Sequence, residues 1–390
     1  MAPLQTLHNV SAFRGAAARA LPRPIFDFMD GGAEDEVTLR SNCSAFQQYG
    51  LVPRICAGSA ENKLATPLLG GALGWPLMLS PTGMSRLFHR DAEPAVARAA
   101  ASHGLLYSLS AMGTTSIEDL SAAVHEPFLF QIYIFRDRGL TREFVARCRE
   151  AGVSSLAVTM DTPVAGNRER DKRHGLSLPP RLTPRAALSF ALHPRWSIGA
   201  LTGAPFELAN LSHKLDGLSG GAMALFDYID RQFDPTLSWR DVEWLADEWN
   251  GPLAVKGLLH PADAKQAIAC GASAIIASNH GGRQLDGALA PVRQLSAIRE
   301  AIGSDAELIC DGGVRRGSDI VKAIALGANA VSIGRPYLWG LAAGGEAGVT
   351  RVLDILREEL ERTLILLGVD DIARLGREHI RNLPELLLER

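Results

Sequence analysis

The chain has 390 residues and a formal net charge of −3, so its charge gives no reason to expect a nucleic-acid partner. Hydrophobic residues make up 47% and charged residues 21% of the sequence, which excludes wholesale disorder and allows one large α/β barrel or two smaller domains. No run of about 18 apolar residues is present to span a bilayer, and we expect no secretory signal in residues 1–14.

The cysteines predict a reducing compartment. There are five of them, an odd number, and they show neither CxxC spacing nor the Cys/His spacing of a metal site. They are Cys43, Cys56, Cys148, Cys270 and Cys310. We therefore expect free thiols, no metal centre and a cytoplasmic protein.

A helical preamble precedes a repeating pattern. Residues 1–75 form the preamble, in which a helix is predicted over Ala16–Met29, punctuated by Pro22 and Pro24 and ended by Gly31-Gly32. From Pro76 onwards, a short apolar run is repeatedly followed by a few polar or glycine residues and then by an amphipathic stretch. The eight apolar runs, each predicted to be a strand, are Pro76–Ser80, Leu105–Leu109, Phe128–Ile132, Ser155–Met160, Leu253–Val255, Ala274–Ala277, Leu308–Cys310 and Ala330–Ile333. The helical stretches between them include Ala92–His103, Leu140–Ala151, Pro261–Cys270, Pro291–Ile302 and Gly317–Leu326.

Eight β/α units in this length predict a closed (β/α)8 TIM barrel, with additional helix in the tail from Val349. Residues 1–390 are expected to form one domain. The competing interpretation, an open doubly wound sheet, is weaker because no GxGxxG motif opens a helix after any strand.

Polar residues and glycines follow the predicted strands, at the barrel end where active sites are found. In strand order these positions are Pro81-Thr82-Gly83, Ser110, Gln131 with Tyr133, Thr159 with Asp161, Lys256, Ser278 with His280, Asp311-Gly312-Gly313, and Gly334-Arg335. A single such ending carries little information, but packing alone does not explain eight of them. The pattern therefore predicts a functional site assembled from all the strands.

The most informative stretch is Ser278-Asn279-His280-Gly281-Gly282-Arg283-Gln284-Leu285-Asp286. His280 can take a proton near neutral pH, and Arg283 can hold an anion through two hydrogen bonds. The two glycines between them allow the backbone to approach a ligand closely. Taken alone, this stretch could also be a loop whose histidine and arginine only satisfy local carbonyls.

The last two strand ends suit a phosphate. Asp311–Gly317 and Ile333–Arg335 combine glycine N–H groups, a helix N-terminus and arginines. Lys256 then has two interpretations: a cation that stabilises a reduced flavin, or the Schiff-base amine of a lyase. A Schiff-base enzyme has little need for His280 and two arginines in one site.

The remaining polar groups suit oxidation of an alcohol. His280 would act as the base, with Asp161 favouring the imidazolium that forms. Arg168 and Arg283 would hold a substrate carboxylate. For Arg168, a position in an ordinary solvated charge run is a strong alternative.

One insertion interrupts the repeat. About 90 residues separate Asp161 from Lys256, more than one helix and its loops require. Within it, residues 176–215 mix apolar, tryptophan and arginine residues, as in His193-Pro194-Arg195-Trp196. The composition alone fits a membrane-interface segment and an active-site lid or subunit contact equally well.

Taken together, these residues resemble the family of FMN-dependent (S)-2-hydroxy acid dehydrogenases and oxidases. The resemblance extends from Leu21-Pro22 to about Ile372. Its most specific part is the Ser278–Asp286 stretch. Further matches are Phe130–Tyr133, Thr159–Pro163, Val255–Gly257, Asp311–Gly317 and Gly334-Arg335-Pro336.

The resemblance implies FMN as the cofactor and a role for each site residue. His280 would be the base, Asp161 its partner, Arg283 the main carboxylate clamp assisted by Arg168, and Tyr133 a donor to the substrate. The flavin ring or ribityl chain would be contacted by Ser110, Gln131, Thr159, Lys256 and Ser278, with Pro81, Thr82 and Gly83 beside the flavin. Asp311, Gly313, Arg315, Gly334 and Arg335 would hold the ribityl chain and phosphate.

Three positions bear on the substrate and the acceptor. Phe28 stands where the family usually has a tyrosine that hydrogen-bonds the substrate carboxylate. Gly83 replaces an alanine typical of the oxidases, which favours a dehydrogenase. Met112 replaces a bulky tryptophan and leaves room for an aromatic or branched substituent.

The predicted function is the oxidation of a mandelate-like (S)-2-hydroxy acid to the 2-keto acid, with electrons passed to a membrane quinone or similar acceptor. The insertion resembles that of bacterial membrane-associated members of the family, so peripheral contact with the inner face of the cell membrane is expected, and a homotetramer by family habit. Alternatives are L-lactate dehydrogenase, a peroxide-forming oxidase, or a dehydrogenase of a hydroxy ester or lactone. A Schiff-base lyase on Lys256 and a non-catalytic flavin-binding scaffold are more remote.

Overall fold

Eight parallel strands close into a ring at the centre of the fold. The computed structural model describes residues 3–57, 62–173, 183–212 and 231–383. Three short strands come first: β1 (Tyr49–Leu51), β2 (Thr66–Leu68) and β3 (Gly71–Leu73). The barrel strands are β4 (Leu77–Thr82), β5 (Leu106–Ser110), β6 (Phe128–Ile132), β7 (Ser155–Thr159), β8 (Leu253–Leu258), β9 (Ala274–Ser278), β10 (Glu307–Asp311) and β11 (Ala330–Ile333). Each pairs with its neighbours in chain order, and β11 pairs with β4, so the predicted (β/α)8 barrel is confirmed.

Helices surround the ring and lie at both ends of the chain. They are α1 (Val10–Ala20), α2 (Arg23–Asp30), α3 (Val37–Ser44), α4 (Ala92–Ser102), α5 (Ile117–Ala123), α6 (Arg138–Glu150), α7 (Glu169–Arg173), α8 (Pro184–Ala191), α9 (Pro194–Thr202), α10 (Trp239–Trp249), α11 (Pro261–Ala269), α12 (Pro291–Ile302), α13 (Gly317–Ala325) and α14 (Arg335–Leu367). The five helical stretches predicted between the strands match α4, α6, α11, α12 and α13.

The barrel interior is filled by side chains that alternate with those facing the helices. Met78 points into the interior core together with Leu129, Ile276 and Ile309. Its neighbours Leu77 and Leu79 belong to the larger core formed with the surrounding helices. The β2–β3 hairpin adds Leu68, Leu69 and Leu73 to the interior core. Because this hairpin packs at the amino-terminal end, the opposite end is the one shaped for a ligand.

The strand ends differ from the prediction. The run Leu253–Val255 continues to Leu258, so Lys256 lies within its strand, and Ser278 and Asp311 likewise belong to their strands. Backbone pairing does not depend on apolar side chains, so strands continue where the side chains turn polar and face a cavity.

Two helix predictions were wrong in their boundaries. The helix predicted over Ala16–Met29 is two helices, because Pro22 disfavours helical backbone at Leu21, which is extended with φ −105° and ψ 144°. The additional helix predicted from Val349 is present, but α14 as a whole already begins at Arg335. It is broken at Gly344 and Gly345, where the backbone leaves the helical region.

The insertion leaves β7 and returns to its neighbour β8. Its helices α8 and α9 pack together, with the rings of Phe190 and Trp196 5.3 Å apart. Trp196 Nε1 donates to the carbonyl of Leu87 at 2.8 Å, which fixes α9 against the loop after β4. Residues 176–182 and 213–215 of the predicted segment lie outside the described residues. In the part of the chain that is described, no helix has the length and apolar character needed to cross a membrane.

Candidate active site

A cavity of about 350 Å³ opens at the carboxyl ends of the barrel strands, within the size range of small-molecule sites. Its lining includes most of the residues predicted for the site: Phe28, Pro81, Thr82, Gly83, Ser110, Met112, Gln131, Tyr133, Thr159, Arg168, Lys256, His280, Arg283, Asp311, Gly313, Arg315, Gly334 and Arg335. Asp161 and Ser278 are not part of the lining; they lie behind it and hydrogen-bond to residues that are. The structure therefore brings together residues from all eight strands.

His280 and Asp161 form a hydrogen-bonded pair, with 2.9 Å between Nδ1 and Oδ1. His280 directly follows β9 and adopts a left-handed backbone with φ 57°. Gly257, at φ +105°, allows β8 to approach Asp161, because a Cβ there would lie 2.6 Å from the Asp161 Cβ. Since Nδ1 is engaged, Nε2 is the nitrogen that can exchange a proton with a ligand.

The carboxylate of Asp161 stays ionised. Burial alone would raise its pKa, but His280 and Lys256 outweigh burial and hold the pKa below its ordinary value. The second oxygen, Oδ2, is buried without a hydrogen-bond partner among the described residues.

Lys256 lies in a buried polar network. Its Nζ is 2.7 Å from Asp311 Oδ2 and donates to Ser278 Oγ at 2.9 Å. Ser278 Oγ and Ser80 Oγ donate to the same Asp311 carboxylate at 2.7 and 2.9 Å. Burial lowers the pKa of Lys256, but Asp311 and Asp161 outweigh it and raise the pKa overall. This lysine is a fixed cation, which argues against the neutral amine that a Schiff base requires.

Arg283 is a half-buried cation that is held by backbone carbonyls. Its Nη1 donates to the carbonyls of Phe28 and Gly31 at 2.8 and 3.1 Å, and its guanidinium lies 5.2 Å from the centre of the Phe28 ring. Burial and the nearby cations Arg168 and Arg335 lower its pKa to about 9, so it remains charged at neutral pH. No acidic side chain of the described ranges lies within ion-pair distance of it. A half-buried guanidinium that no carboxylate of the described ranges neutralises can hold an anionic group of a ligand.

A second pair of arginines, Arg315 and Arg335, follows β10 and β11 and lines the same cavity. Arg335 donates to the carbonyls of Met29, Gly281 and Gly31 at 3.2, 2.9 and 2.8 Å. Burial and Arg315 lower its pKa to about 10. Arg315 stacks on Trp339, 4.9 Å from the ring centre. Two adjacent cations beside the glycines of this barrel end form a phosphate-type site.

The comparisons with known proteins agree with this geometry. The family model of the FMN-dependent dehydrogenases matches residues 17–382. The chain belongs to this family. One relative is an L-lactate dehydrogenase of Stenotrophomonas maltophilia (strain R551-3), 40% identical over 377 residues that cover 95% of this chain and 98% of the relative.

Solved structures of the family are similar over almost the whole chain. One is the monotopic membrane protein (S)-mandelate dehydrogenase, with a TM-score of 0.91, 37% identity, and coverage of 97% of this chain and 100% of that one. Another is a mandelate oxidase, with a TM-score of 0.82, 33% identity, and coverage of 96% and 98%. As an FMN-dependent dehydrogenase, this chain is an oxidoreductase with FMN as its cofactor.

The residues present fit FMN. Arg315 and Arg335 supply two positive charges for a phosphate, and neither has a carboxylate at ion-pair distance within the described ranges. Ser332 lines the cavity, and its buried Oγ has no hydrogen-bond partner in the described part of the chain. Lys256 lines the cavity and would supply a fixed positive charge to a flavin ring.

Several lining residues carried no signal in the sequence. Phe88 stacks on Phe28 with ring centres 6.4 Å apart, and Phe233 meets the Tyr133 ring edge-on at 5.3 Å. Neither follows a strand directly, so the pattern of strand ends could not find them. Gln284 could have been found, because it lies beside Arg283 in the most specific motif. It donates to the carbonyls of Asp161 and Val164 at 3.0 and 2.8 Å and so fixes the loop after β7.

Proposed function

We propose that this enzyme oxidises an (S)-2-hydroxy acid with an aromatic or branched side chain to the 2-keto acid, and that its electrons pass to a membrane quinone. The observation that carries the proposal is that Arg283, a half-buried cation without a carboxylate partner in the described residues, lines the same cavity as His280, which is paired with Asp161. One group can hold a carboxylate while the other takes a proton from the neighbouring carbon or hydroxyl.

The chain's own residues would divide the chemistry as follows. Arg283 and Arg168 bind the substrate carboxylate and orient the hydroxyl-bearing carbon. His280 Nε2 accepts the proton, and Asp161 stabilises the imidazolium that results. Tyr133 stays a neutral phenol, because burial and Asp161 raise its pKa, so it can donate a hydrogen bond to the substrate. FMN, when bound, supplies the two-electron acceptor.

The apolar wall of the cavity favours a large substituent. The cavity is lined by Phe28, Met84, Phe88, Met112 and Phe233. Together they offer a phenyl group aromatic and sulfur contacts. Lactate is the second candidate, since relatives of 40% identity are L-lactate dehydrogenases.

A substrate panel tests this proposal. Purified holoenzyme is mixed anaerobically with (S)-mandelate, (S)-lactate, longer (S)-2-hydroxy acids and hydroxy lactones, and bleaching of the flavin absorbance is recorded. We expect bleaching by (S)-mandelate with a lower half-saturation concentration than by (S)-lactate. Bleaching by none of the acids would refute the proposal, and rapid peroxide release in air would identify an oxidase.

We also propose that α8 and α9 bind a membrane surface peripherally. Their exposed side chains include Leu188, Leu192, Ile198 and Leu201, which are 60%, 68%, 59% and 85% exposed. Residues 183–203 contain two arginines and no acidic residue. Apolar side chains with flanking cations suit an anionic lipid surface. Contact there would also bring the enzyme to a lipid-soluble acceptor.

Vesicle flotation tests the membrane proposal. The protein should float with vesicles containing anionic lipid, and the double variant Leu192→Asp/Leu201→Asp should remain at the bottom. Leu366→Asp, which changes a 68% exposed leucine on α14, is the control and should float like the parent. A parent protein that binds no vesicles would refute this proposal. The proposed homotetramer is tested separately by sedimentation of the holoenzyme.

A further inference from the structure

The carbonyl of Gly31, just after α2, accepts hydrogen bonds from two arginines with different tasks. Arg283 Nη1 donates to it at 3.1 Å, and Arg335 Nη2 donates to it at 2.8 Å. In the proposed function, Arg283 faces the substrate carboxylate and Arg335 the phosphate of FMN. One carbonyl oxygen is thus shared by the substrate side and the cofactor side of the cavity.

Carbonyls rather than carboxylates hold both arginines. Phe28 and Met29, in the last turn of α2, accept from Arg283 and Arg335 at 2.8 and 3.2 Å, and Gly281 also accepts from Arg335 at 2.9 Å. The carboxyl end of a helix carries a partial negative charge of about 0.5, which attracts a cation without neutralising it. Both guanidiniums therefore keep their charge for an anionic ligand.

The turn that presents Gly31 is fixed by Arg170 of α7. Arg170 Nη2 is hydrogen-bonded to Glu36 Oε2, and its Nη1 lies 3.4 Å from Asp30 Oδ2. Glu36 Oε1 in turn accepts from the N–H of Gly32 at 2.9 Å. Asp30 is also held by a two-bond pair with Arg14. Arg170 thus links the two carboxylates that flank the Gly31 turn.

We propose that Arg170 is a positioning residue that, through the Gly31 carbonyl, couples the affinity for the substrate carboxylate to the affinity for the FMN phosphate. The proposal rests on the proposed function for its assignment of Arg283 to a carboxylate. Arg170 touches neither ligand in this scheme. It acts only through the position of the Gly31 turn, which both arginines share.

The test replaces Arg170 with methionine, which keeps much of the side-chain volume and removes the charge. FMN affinity is measured by quenching of FMN fluorescence on titration into the apoprotein. KM and kcat for (S)-mandelate are measured with the FMN-loaded enzyme and an artificial acceptor, and the dissociation constant of phenylacetate, which lacks the hydroxyl, is read from the flavin spectrum. Arg173→Met is the matched control, since Arg173 lies on the same helix, is 72% exposed and pairs only with Glu169 among the described residues.

In Arg170→Met, we expect KM, the phenylacetate constant and the FMN dissociation constant each to rise about tenfold, while kcat stays within about threefold. The reason for the retained kcat is that Asp161 holds the His280 ring and Ser278 Oγ accepts from the His280 N–H. Arg173→Met should leave all four quantities unchanged.

The coupling would be overturned if KM rose while FMN affinity stayed the same, or if neither changed. Should Arg170→Met not fold, Glu36→Gln is the second variant, since it keeps an acceptor for Gly32 but weakens the contact with Arg170. The same linked rise in KM and FMN dissociation constant is then expected, and an unlinked change would again overturn the coupling. Failure of the proposed function would appear differently: no 2-hydroxy acid would bleach the flavin bound to the wild-type enzyme.

Discussion

Replacing Asp161 with asparagine tests whether the carboxylate behind His280 stabilises the proton that His280 takes. The Asp161 Oδ1 atom is 2.9 Å from His280 Nδ1, and the two side chains are 12% and 27% exposed. At an effective dielectric constant of about 20, opposite charges at this separation attract by about 6 kcal/mol. Partial exposure reduces this value, and asparagine keeps one hydrogen bond, so the expected loss is about 3 kcal/mol. That loss corresponds to roughly 150-fold in the rate of flavin reduction.

The assay is anaerobic stopped-flow reduction of the flavin by a saturating 2-hydroxy acid. The variant should still bind FMN, because Asp161 lies outside the cavity lining and away from Arg315 and Arg335. Asp161→Glu, which keeps the charge but moves it, should retain more of the rate. If the asparagine variant bound FMN normally and lost less than about fivefold, or about 1 kcal/mol, Asp161 would not stabilise a charged His280 and the argument would fail.

Three further changes probe neighbouring parts of the site. Phe28→Tyr would place a hydroxyl beside the proposed carboxylate site. Because a hydrogen bond to a charged group contributes about 1.5–3 kcal/mol, KM for 2-hydroxy acids should fall by roughly tenfold to a hundredfold. An unchanged KM would contradict this. Lys256→Met would leave Asp311 buried without its cation and lower the free energy of unfolding at pH 7 by about 3–5 kcal/mol. In the parent, burial favours protonation of Asp311 but Lys256 outweighs it and holds the pKa low, whereas in the variant burial would raise that pKa. The difference in unfolding free energy between parent and variant should therefore shrink as the pH falls from 7 towards 5, because Asp311 takes a proton in the variant. Urea unfolding at the two pH values measures this difference, and an equal difference at both would contradict the argument. Gly257→Ala would push its Cβ against Asp161 and disturb the pair with His280. The variant should still bind FMN, but its kcat should fall at least about tenfold. An unchanged kcat would contradict the close packing of Gly257 against Asp161.

The barrel could be predicted from the sequence because its strands are apolar on both faces. Runs such as Ala274–Ala277 are buried between the interior core and the helices, so they read as continuous apolar segments. Polar residues end these runs on the carboxyl side, and this change from apolar to polar predicted the position of the candidate site. Lys256 and Ser278 interrupt the apolar pattern and yet remain buried, which is costly unless they bind each other or a ligand.

The helix boundaries near the site were harder to predict. The periodicity of Ala16–Met29 is helical throughout, but the extended backbone imposed on Leu21 by Pro22 divides it. This break turns α2 so that Phe28 and Met29 both line the cavity. A single apolar residue such as Phe233 gives no indication of the cavity it will reach, because its position depends on the path of the insertion.

The contribution of α2 could not be read from the sequence for a physical reason. Its carbonyls hold Arg283 and Arg335, and a carbonyl has no side chain that marks it. Had carboxylates held these arginines, the ion pairs would have cancelled the charge that an anionic ligand requires. The acidic residues of the neighbouring motifs bind elsewhere: Asp286 accepts from the N–H groups of Val37 and Thr38, and Asp311 pairs with Lys256. Both arginines therefore remain available to anions. The N-terminal segment, predicted only as a preamble, therefore supplies the carbonyls that allow two cationic side chains to lie beside the same cavity.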